Sequence, residues 1–252
     1  MADKKRILAG ATLIGGIHPV REALRTHPEE IREIILARDT HSPPVREILQ
    51  IARSRQIKVK HLNREEFLKA FPETSQGIGA VRTSFPYTPF ETLLASHPPG
   101  TPALLLALDS IKDPQNLGAI IRSAVAFGVS GLILPKDRTC PLTDTVYKAS
   151  SGGLEHIRTV RVTNLVRALL TLKEEGFWVL GLVPERGKPM SSFSLPSRVV
   201  LVLGEEGQGI RPLVEKTCDL LLSIPMSGKI GSLNVSVAAG IALYEISARL
   251  KA

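Results

Sequence analysis

Hydrophobic and polar positions follow two different patterns in the two parts of the chain. Over residues 12–84, short apolar runs such as "REIILAR" alternate with amphipathic segments of helix length such as "PVREILQIARSR". Alternation of strand-like apolar runs with amphipathic helical segments predicts a small α/β domain. Asn63 followed by Glu66 predicts the start of one of its helices, because these two side chains can cap each other's backbone amides.

From Ala103 onward, most of the predicted strands are apolar almost throughout. Strands are predicted at "ALLLAL", "GLILP", "HIRTVRV", "FWVLGLV", "RVVLVLG" and "LLLSIP". Helices are predicted at "NLGAIIRSAVAFG", near "TDTVYKASS", at "NLVRALLTLKEEG" and over the C-terminal segment. Strands that are apolar on both faces and separated by helices indicate a buried parallel sheet covered on both sides, so the predicted fold class is α/β for this part as well.

A proline-rich stretch separates the two patterns. Residues 85–102 contain five prolines, a composition that stiffens the chain and disfavours regular structure. We therefore predict a first domain over residues 1–85, a linker over residues 86–102 and a second domain over residues 103–252.

The charge of the chain favours a polyanionic partner. There are 32 Lys and Arg against 24 Asp and Glu, which gives a net charge of +8 and a pI near 9.7. The first 85 residues carry 15 of these basic residues against 10 acidic ones. Long-range attraction and counterion release would favour RNA or DNA, although a basic surface that is merely solvated has the same composition.

The two cysteines and the hydropathy pattern limit the class of protein. Cys140 and Cys218 are too few for a disulfide framework and lack the spacing of metal ligands, so we expect a reducing cytoplasm and no metal. No apolar run approaches the roughly 18 residues that a membrane span needs. We therefore expect a soluble protein.

The polar residues that follow the predicted strands are the candidates for chemistry, since ligands of open parallel sheets bind beyond the carboxyl ends of the strands. After "ALLLALD", a helix is predicted to begin near Asn116, with Arg122 further along. Asn116 is also a good helix cap. Arg122 has apolar neighbours in the sequence, and a guanidinium in such surroundings usually pairs with an anion.

The loop after "RVVLVLG" combines glycines with two carboxylates in "GEEGQG". Its spacing matches neither the dinucleotide fingerprint nor the phosphate loop, and it could be only a tight turn. Because Glu205 and Glu206 would repel phosphate, a cationic or neutral polar ligand suits this loop better.

The third candidate lies in "IPMSGKIGSLNVSVAAG", where Ser232, Asn234 and Ser236 stand at the start of the final apolar helix. One of them can cap the helix. The others are poor helix-interior residues, and this excess of polar side chains indicates a binding site.

Taken together, "DPQNLGAIIRSA", "LVLGEEGQG" and "IPMSGKIGSLNVSVA" resemble, in order and spacing, the three signature motifs of the SpoU (TrmH-type) branch of the SPOUT RNA methyltransferases. The first 85 residues, with "IGGIHPVREAL" and "SQGIGAV", resemble the small RNA-binding domain of the RlmB-type members. One departure is Ser75, where such proteins commonly carry His before "QGI". The resemblance covers nearly the whole chain.

The resemblance implies a catalytic domain with a C-terminal trefoil knot, a homodimer with active sites near the subunit interface, and S-adenosylmethionine bound in the knot. It implies methyl transfer to a ribose 2′-hydroxyl of RNA, with a guanosine of large-subunit ribosomal RNA as the expected acceptor. The residues matching the family's cofactor-binding positions are Leu203, Gly204, Ile224, Met226 and Leu233. The residues matching its catalytic and RNA-contacting positions are Asn116, Arg122, Glu206, Ser232 and Asn234.

Arg122 is expected to hold a phosphate beside the target ribose rather than to act as a free base, because a guanidinium has a pKa above about 12. Ser232 and Asn234 are expected to orient the ribose or the cofactor, and Glu206 to fix Arg122 or the motif loops. A transfer-RNA methyltransferase and a non-catalytic RNA-binding factor of ribosome assembly remain alternatives. A nicotinamide-dependent dehydrogenase is disfavoured because its glycine fingerprint is absent from the sequence.

Overall fold

The computed structural model describes residues 11–38, 40, 42–71, 75–83, 85–184, 186–228 and 231–251. The chain divides into two compact units, and each is α/β, as the sequence predicts. One unit combines Met1–Pro86 with Leu142–His156, and the other combines Tyr87–Pro141 with Ile157–Ala252. Within the described ranges, none of the helices is both long enough and apolar enough to cross a bilayer.

The first unit is built on a four-stranded sheet with the strand order β1-β4-β2-β3. Its strands are β1 (Thr12–Gly15), β2 (Ile31–Ala37), β3 (Lys58–Leu62) and β4 (Ile78–Arg82). Its helices from the N-terminal part of the chain are α1 (Ile17–Thr26), α2 (Pro43–Ser54) and α3 (Arg64–Ala70). Strand β4 is antiparallel to both of its neighbours, whereas β2 and β3 are parallel.

Helix α3 packs against this sheet through aromatic residues. Phe67 and Phe71 are both buried, with ring centroids 4.9 Å apart, and they share a core with Ile35 of β2. The predicted reciprocal cap is present, because the Asn63 side chain accepts from the Glu66 amide and the Glu66 side chain accepts from the Asn63 amide.

The second unit is built on a parallel sheet with the strand order β7-β6-β5-β10-β8-β11-β9. Its strands are β5 (Ala103–Asp109), β6 (Gly131–Pro135), β7 (Arg158–Val162), β8 (Trp178–Leu182), β9 (Lys188–Pro189), β10 (Arg198–Gly204) and β11 (Leu220–Ser223). Its helices are α4 (Phe90–Ala95), α5 (Pro114–Ala126), α7 (Leu165–Glu174), α8 (Pro212–Thr217) and α9 (Val235–Lys251). Strands β5 and β10 are buried along their whole length, which explains their uninterrupted apolar sequences.

The central strands of this sheet bring the three predicted loops to one edge. Strand β10 lies between β5 and β8, and β11 follows β8. Because all these strands are parallel, the chain leaves them at the same edge, after Asp109, Leu182, Gly204 and Ser223. This edge is where a ligand of the sheet is expected.

The proline-rich stretch contains a helix that the sequence analysis did not predict. Helix α4 begins directly after Pro89, and its Leu93 is fully buried in the core of the second unit. The prolines flank this helix instead of interrupting it, and Pro89 stands at its N-cap, outside the helical hydrogen bonds. The expectation of irregular structure across the whole stretch is therefore wrong.

The segment Leu142–His156 is grouped with the first unit although it lies between β6 and β7 in the sequence. It contains the short helix predicted near "TDTVYKASS", α6 (Asp144–Ala149), followed by a 3₁₀ turn at Gly153–His156. The sequence placed this helix in the second domain, because periodicity identifies a helix but not the surface on which it packs.

Candidate active site

The loop after β10 has a fixed, tight conformation. The Glu205 amide donates to the Gly209 carbonyl at 3.1 Å, and the Gly209 amide donates back to the Glu205 carbonyl at 2.8 Å. Gly207 and Gly209 have φ angles of +86° and +70°, which glycine adopts without strain. A Cβ atom on Gly204 would lie 2.0 Å from the carbonyl carbon of Gly209, so only glycine fits at the end of this strand.

A buried ion pair anchors the other end of this loop. Asp109, at the end of β5, is fully buried. Its carboxylate accepts from the Arg211 amide at 2.9 Å and from Arg211 Nε at 2.7 Å. The loop is therefore closed by its own backbone at one end and held to β5, the neighbour of β10, at the other.

A pocket opens at this edge of the sheet, and all five residues predicted to bind the cofactor line it. They are Leu203, Gly204, Ile224, Met226 and Leu233. The pocket has a volume of about 240 Å³. Two residues from the predicted catalytic set, Glu206 and Ser232, also line it.

The wall formed by Leu182, Val183 and Pro184 was missed in the sequence. Leu182 is the last residue of β8, and Val183 and Pro184 follow it directly. Strand β8 lies between β10 and β11 in the sheet. The run "FWVLGLV" predicts a strand, but its end and the adjoining Pro184 are apolar, and such residues do not by themselves indicate a ligand site.

Asn234 joins the three motif loops. Its Nδ2 atom donates to Asn116 Oδ1 at 3.0 Å and to Glu206 Oε2 at 3.0 Å. Its Oδ1 atom accepts from the Ser236 amide at 2.9 Å and from the Ser236 hydroxyl at 2.6 Å. Asn234 therefore caps α9 with its oxygen and links the loops with its nitrogen, which accounts for two of the polar residues in this stretch, Asn234 and Ser236.

Asn116 does not cap its helix, so that interpretation is wrong. Helix α5 begins at Pro114, and the Asp113 carboxylate accepts from the amides of Gln115 and Asn116. The Asn116 side chain is thereby left to bond with Asn234.

Arg122 is not joined to this network. It is exposed, whereas Ile121 and Ala124 beside it in the sequence are buried. Arg122 lies six residues after Asn116, which corresponds to about 9 Å along the helix axis. The same six residues rotate the side-chain direction by about 240°, so the two side chains point to different sides of α5. Among the residues that the structure describes, the Arg122 guanidinium makes no ion pair, and the apolar surroundings expected from the sequence are absent.

The pocket suits a ligand that is partly apolar and cationic or neutral. Its described lining contains two carboxylates, Glu205 and Glu206, and no Lys or Arg. Lys112 pairs with Glu205 at 2.9 Å, while Glu206 faces the amide of Asn234. Leu203, Met226 and Leu233 supply apolar walls. S-adenosylmethionine, with an adenine ring and a positively charged sulfonium, fits these features.

Two family models match the chain. The SpoU rRNA Methylase family matches residues 103–244, and the model described as RNA 2′-O ribose methyltransferase substrate binding matches residues 13–88.

Named relatives resemble the chain over most of its length. It is 42% identical over 234 residues to the 23S rRNA (guanosine-2′-O-)-methyltransferase RlmB of Nitrosomonas europaea, covering 92% of this chain and 89% of the relative. It is 40% identical to the corresponding enzyme of Pseudomonas aeruginosa, covering 92% of this chain and 94% of that one.

Solved structures show the same fold. The SpoU methyltransferase AviRb of Streptomyces viridochromogenes, solved in complex with the cofactor AdoMet (S-adenosylmethionine), aligns with a TM-score of 0.78 at 26% identity, covering 97% of this chain and 92% of that chain. An AdoMet-bound rRNA methyltransferase of Sinorhizobium meliloti aligns with a TM-score of 0.79 at 25% identity, covering 97% and 89%.

Proposed function

The chain belongs to the SpoU rRNA methylase family, and on that premise we propose that it transfers a methyl group from S-adenosylmethionine to a ribose 2′-hydroxyl of RNA. The acceptor is a guanosine of large-subunit ribosomal RNA, in keeping with the relatives named RlmB. With this substrate, the protein works in the cytoplasm. The observation that carries the proposal is the juxtaposition of the pocket with the side-chain network of Asn116, Glu206 and Asn234.

The pocket is the proposed cofactor site. S-adenosylmethionine supplies an electrophilic methyl group on a positively charged sulfur, so the protein has mainly to align the acceptor and assist the loss of its proton. Leu203, Met226 and Leu233 enclose apolar parts of the cofactor, while the backbone at Gly204 and Ile224 offers hydrogen bonds to its adenosine. Positioning of this kind can lower a barrier by about 7 to 11 kcal/mol in favourable cases.

Asn116, Glu206 and Asn234 form a rigid rim to this pocket. Because the cap of α9 fixes the oxygen of Asn234, its amide nitrogen has one orientation, and the loop carrying Glu206 is fixed with it. Ser232 is exposed at the pocket and is available to bond with the ribose. A site supported on a helix end and held by hydrogen bonds keeps the reacting groups in place.

Arg122 is proposed to bind a phosphate next to the target ribose and to stabilise the developing alkoxide. Its exposure on α5 leaves the guanidinium free to reach a ligand outside its own chain. The measured pH dependence of methyl transfer by Arg122→Lys tests this role. Near-normal activity of that variant would contradict a requirement for bidentate phosphate binding, since lysine supplies the charge but not the planar fork.

We also propose that the protein acts as a homodimer. Helix α9 exposes Val237, Ile241 and Tyr244, which are 51%, 42% and 61% accessible. Their spacing places them on one side of the helix, and Tyr244 contacts the ring of Phe127 at the end of α5. A second copy of the chain would cover this stripe.

The family resemblance further supports a trefoil knot in the C-terminal part of the second unit.

The first unit is proposed to bind the RNA substrate. It matches the substrate-binding family model and contains an excess of basic residues in its N-terminal part. Recognition through RNA shape and unstacked bases is typical of such modules.

Incubation of the purified protein with labelled S-adenosylmethionine and unmodified transcripts tests the proposed function. We expect 2′-O-methylation of one guanosine in a 23S rRNA transcript, mapped by mass spectrometry of nuclease fragments, and none in total transfer RNA. Labelling of transfer RNA alone would support the transfer-RNA methyltransferase instead. Cofactor binding in calorimetry without methylation of any RNA would support a non-catalytic RNA-binding factor.

A further inference from the structure

The first unit contains a fully buried arginine. Arg82, the last residue of β4, has no accessible surface. Its Nε donates to Glu30 at 2.7 Å, and its Nη1 donates to the Tyr147 hydroxyl at 2.6 Å and to the Glu155 carboxylate. The side chain of Glu155 is also completely buried. Burial of an ion pair is costly unless its geometry is good and its hydrogen bonds are satisfied, so this arrangement requires a specific explanation.

Two of the Arg82 partners come from a distant part of the chain. Tyr147 and Glu155 lie in Leu142–His156, which we call the strap, because it leaves the second unit after β6 and returns to it before β7. Glu30, in contrast, belongs to the N-terminal part of the chain. Arg82 therefore joins the strap to the unit that is proposed to bind RNA.

A second set of bonds holds the other end of the strap. The Asp144 carboxylate accepts from the Gly15 amide at 2.6 Å and pairs with Lys148 at 2.9 Å. Lys148 also donates to the hydroxyl of Ser75 at 2.8 Å. Ser75, which stands where the resembled family commonly carries His, is fully buried. Its hydroxyl is thus one of the groups that contact the strap.

The strap has short connections to the catalytic sheet. Strand β6 ends at Pro135 and the strap begins at Leu142, so the intervening chain spans at most about 25 Å. The strap ends at His156 and β7 begins at Arg158, a span of at most about 7 Å. While the strap is held, the first unit is connected to the second at three points in the chain instead of one.

We propose that Arg82 is a positioning residue for methyl transfer, because it locks the strap onto the RNA-binding unit and so keeps bound RNA at a high effective concentration near the active site. The inference rests on the proposed function. Linking two binding modules by short connections strengthens their joint binding without any new contact, and longer or looser connections reduce that gain. Release of the strap therefore weakens productive RNA binding and leaves the cofactor pocket unchanged.

The test compares Arg82→Met with the unmodified protein and with Arg198→Met as the matched control. Arg198 is a buried arginine of the second unit that stacks on Phe177 and donates to backbone carbonyls, so its removal perturbs folding without touching the strap. For Arg82→Met, we expect the KM for the 23S rRNA transcript to rise about tenfold or more, with kcat within about twofold and the affinity for S-adenosylmethionine unchanged. For Arg198→Met, we expect no rise in the KM for RNA.

Hydrogen exchange supplies the second readout. Amides of the strap should lose protection in Arg82→Met, while those of β5 and β10 retain it. Tyr147→Phe removes only one hydrogen bond and replaces Arg82→Met as the test variant if Arg82→Met does not fold. The KM of Tyr147→Phe for RNA should rise about threefold.

Unchanged KM with an unprotected strap would overturn the positioning role, and a strap that stays protected would overturn the lock. Absence of RNA methylation by the unmodified protein would instead refute the proposed function, and the exchange comparison would still decide whether Arg82 holds the strap.

Discussion

Substitution of Gly204 by alanine should abolish most of the affinity for S-adenosylmethionine. The added Cβ would lie 2.0 Å from the carbonyl carbon of Gly209, 2.2 Å from its oxygen and 2.3 Å from the amide nitrogen of Ile210. Ordinary contact at such a position begins at 3.4 Å. The two backbone segments must therefore separate by roughly 1.4 Å, and neither can yield by a side-chain rotation.

The cost of this separation can be worked from the contacts of the loop. Two backbone hydrogen bonds between Glu205 and Gly209 close the loop, and each contributes about 1 kcal/mol. Overpacking of a well-packed region costs about 1 to 3 kcal/mol by itself. Loss of the two hydrogen bonds alone, about 2 kcal/mol, corresponds to an affinity for S-adenosylmethionine about 30-fold lower, and overpacking would lower it further.

Titration calorimetry with S-adenosylmethionine measures this loss directly. The matched control is Gly240→Ala, since a Cβ on Gly240 would meet its nearest neighbour, Ser123 Oγ, at 3.7 Å. That variant should bind the cofactor normally and unfold at a higher temperature, because alanine is favoured over glycine inside a helix. A folded Gly204→Ala protein with unchanged cofactor affinity would refute the assignment of this loop to the pocket wall.

Three further predictions concern other parts of the second unit. Asn234→Asp keeps the cap of α9 but replaces the amide donor by an oxygen that faces Glu206. The rate of methyl transfer should therefore fall at least about tenfold, while the melting temperature changes little. A variant that loses stability and activity to the same extent would contradict the prediction that the cap and the link to Glu206 act separately. Asp109→Ala should lower the free energy of unfolding by about 2 to 3 kcal/mol in urea titrations, because Arg211 loses a charged partner, and a change below about 0.5 kcal/mol would contradict it. Burial raises the pKa of Cys140 to about 11 and that of Cys218 to about 12. The reactive thiolate of each cysteine forms only as the pH approaches these values. At pH 8, alkylation of both cysteines by iodoacetamide, followed by mass spectrometry, should therefore be slower in the native protein than in urea. Equal rates in the two conditions would contradict this prediction.

The sequence is sufficient to identify six of the seven strands of the larger sheet and three of the loops at its edge, whereas the two-residue strand β9 and the wall after β8 are not predicted. The apolar runs ending at Asp109, Gly204 and Ser223 are strands in the structure, and the motif resemblance is confirmed by the family models. These predictions succeeded because strands buried on both faces have a distinctive sequence and the polar residues after them stand out.

Other features depend on distant parts of the chain and were not predictable in this way. Asn116 looks like a cap in isolation, but Asp113 starts the helix earlier and displaces it from that role. Arg122 has apolar neighbours in sequence, but its own side chain is exposed. The order of strands in the sheet is likewise set by packing between segments far apart in the chain.

The strap also determines when the first unit can be completed during synthesis. Arg82 and Glu30 leave the ribosome early, but Tyr147 and Glu155 follow only after two strands of the catalytic sheet have been made. Until then, the guanidinium that is buried in the finished protein lacks two of its three acidic or hydroxyl partners. A shortened chain that ends at the predicted domain boundary, residue 85, would lack Tyr147 and Glu155 altogether. Such an N-terminal fragment should therefore be much less stable than the same residues within the whole protein.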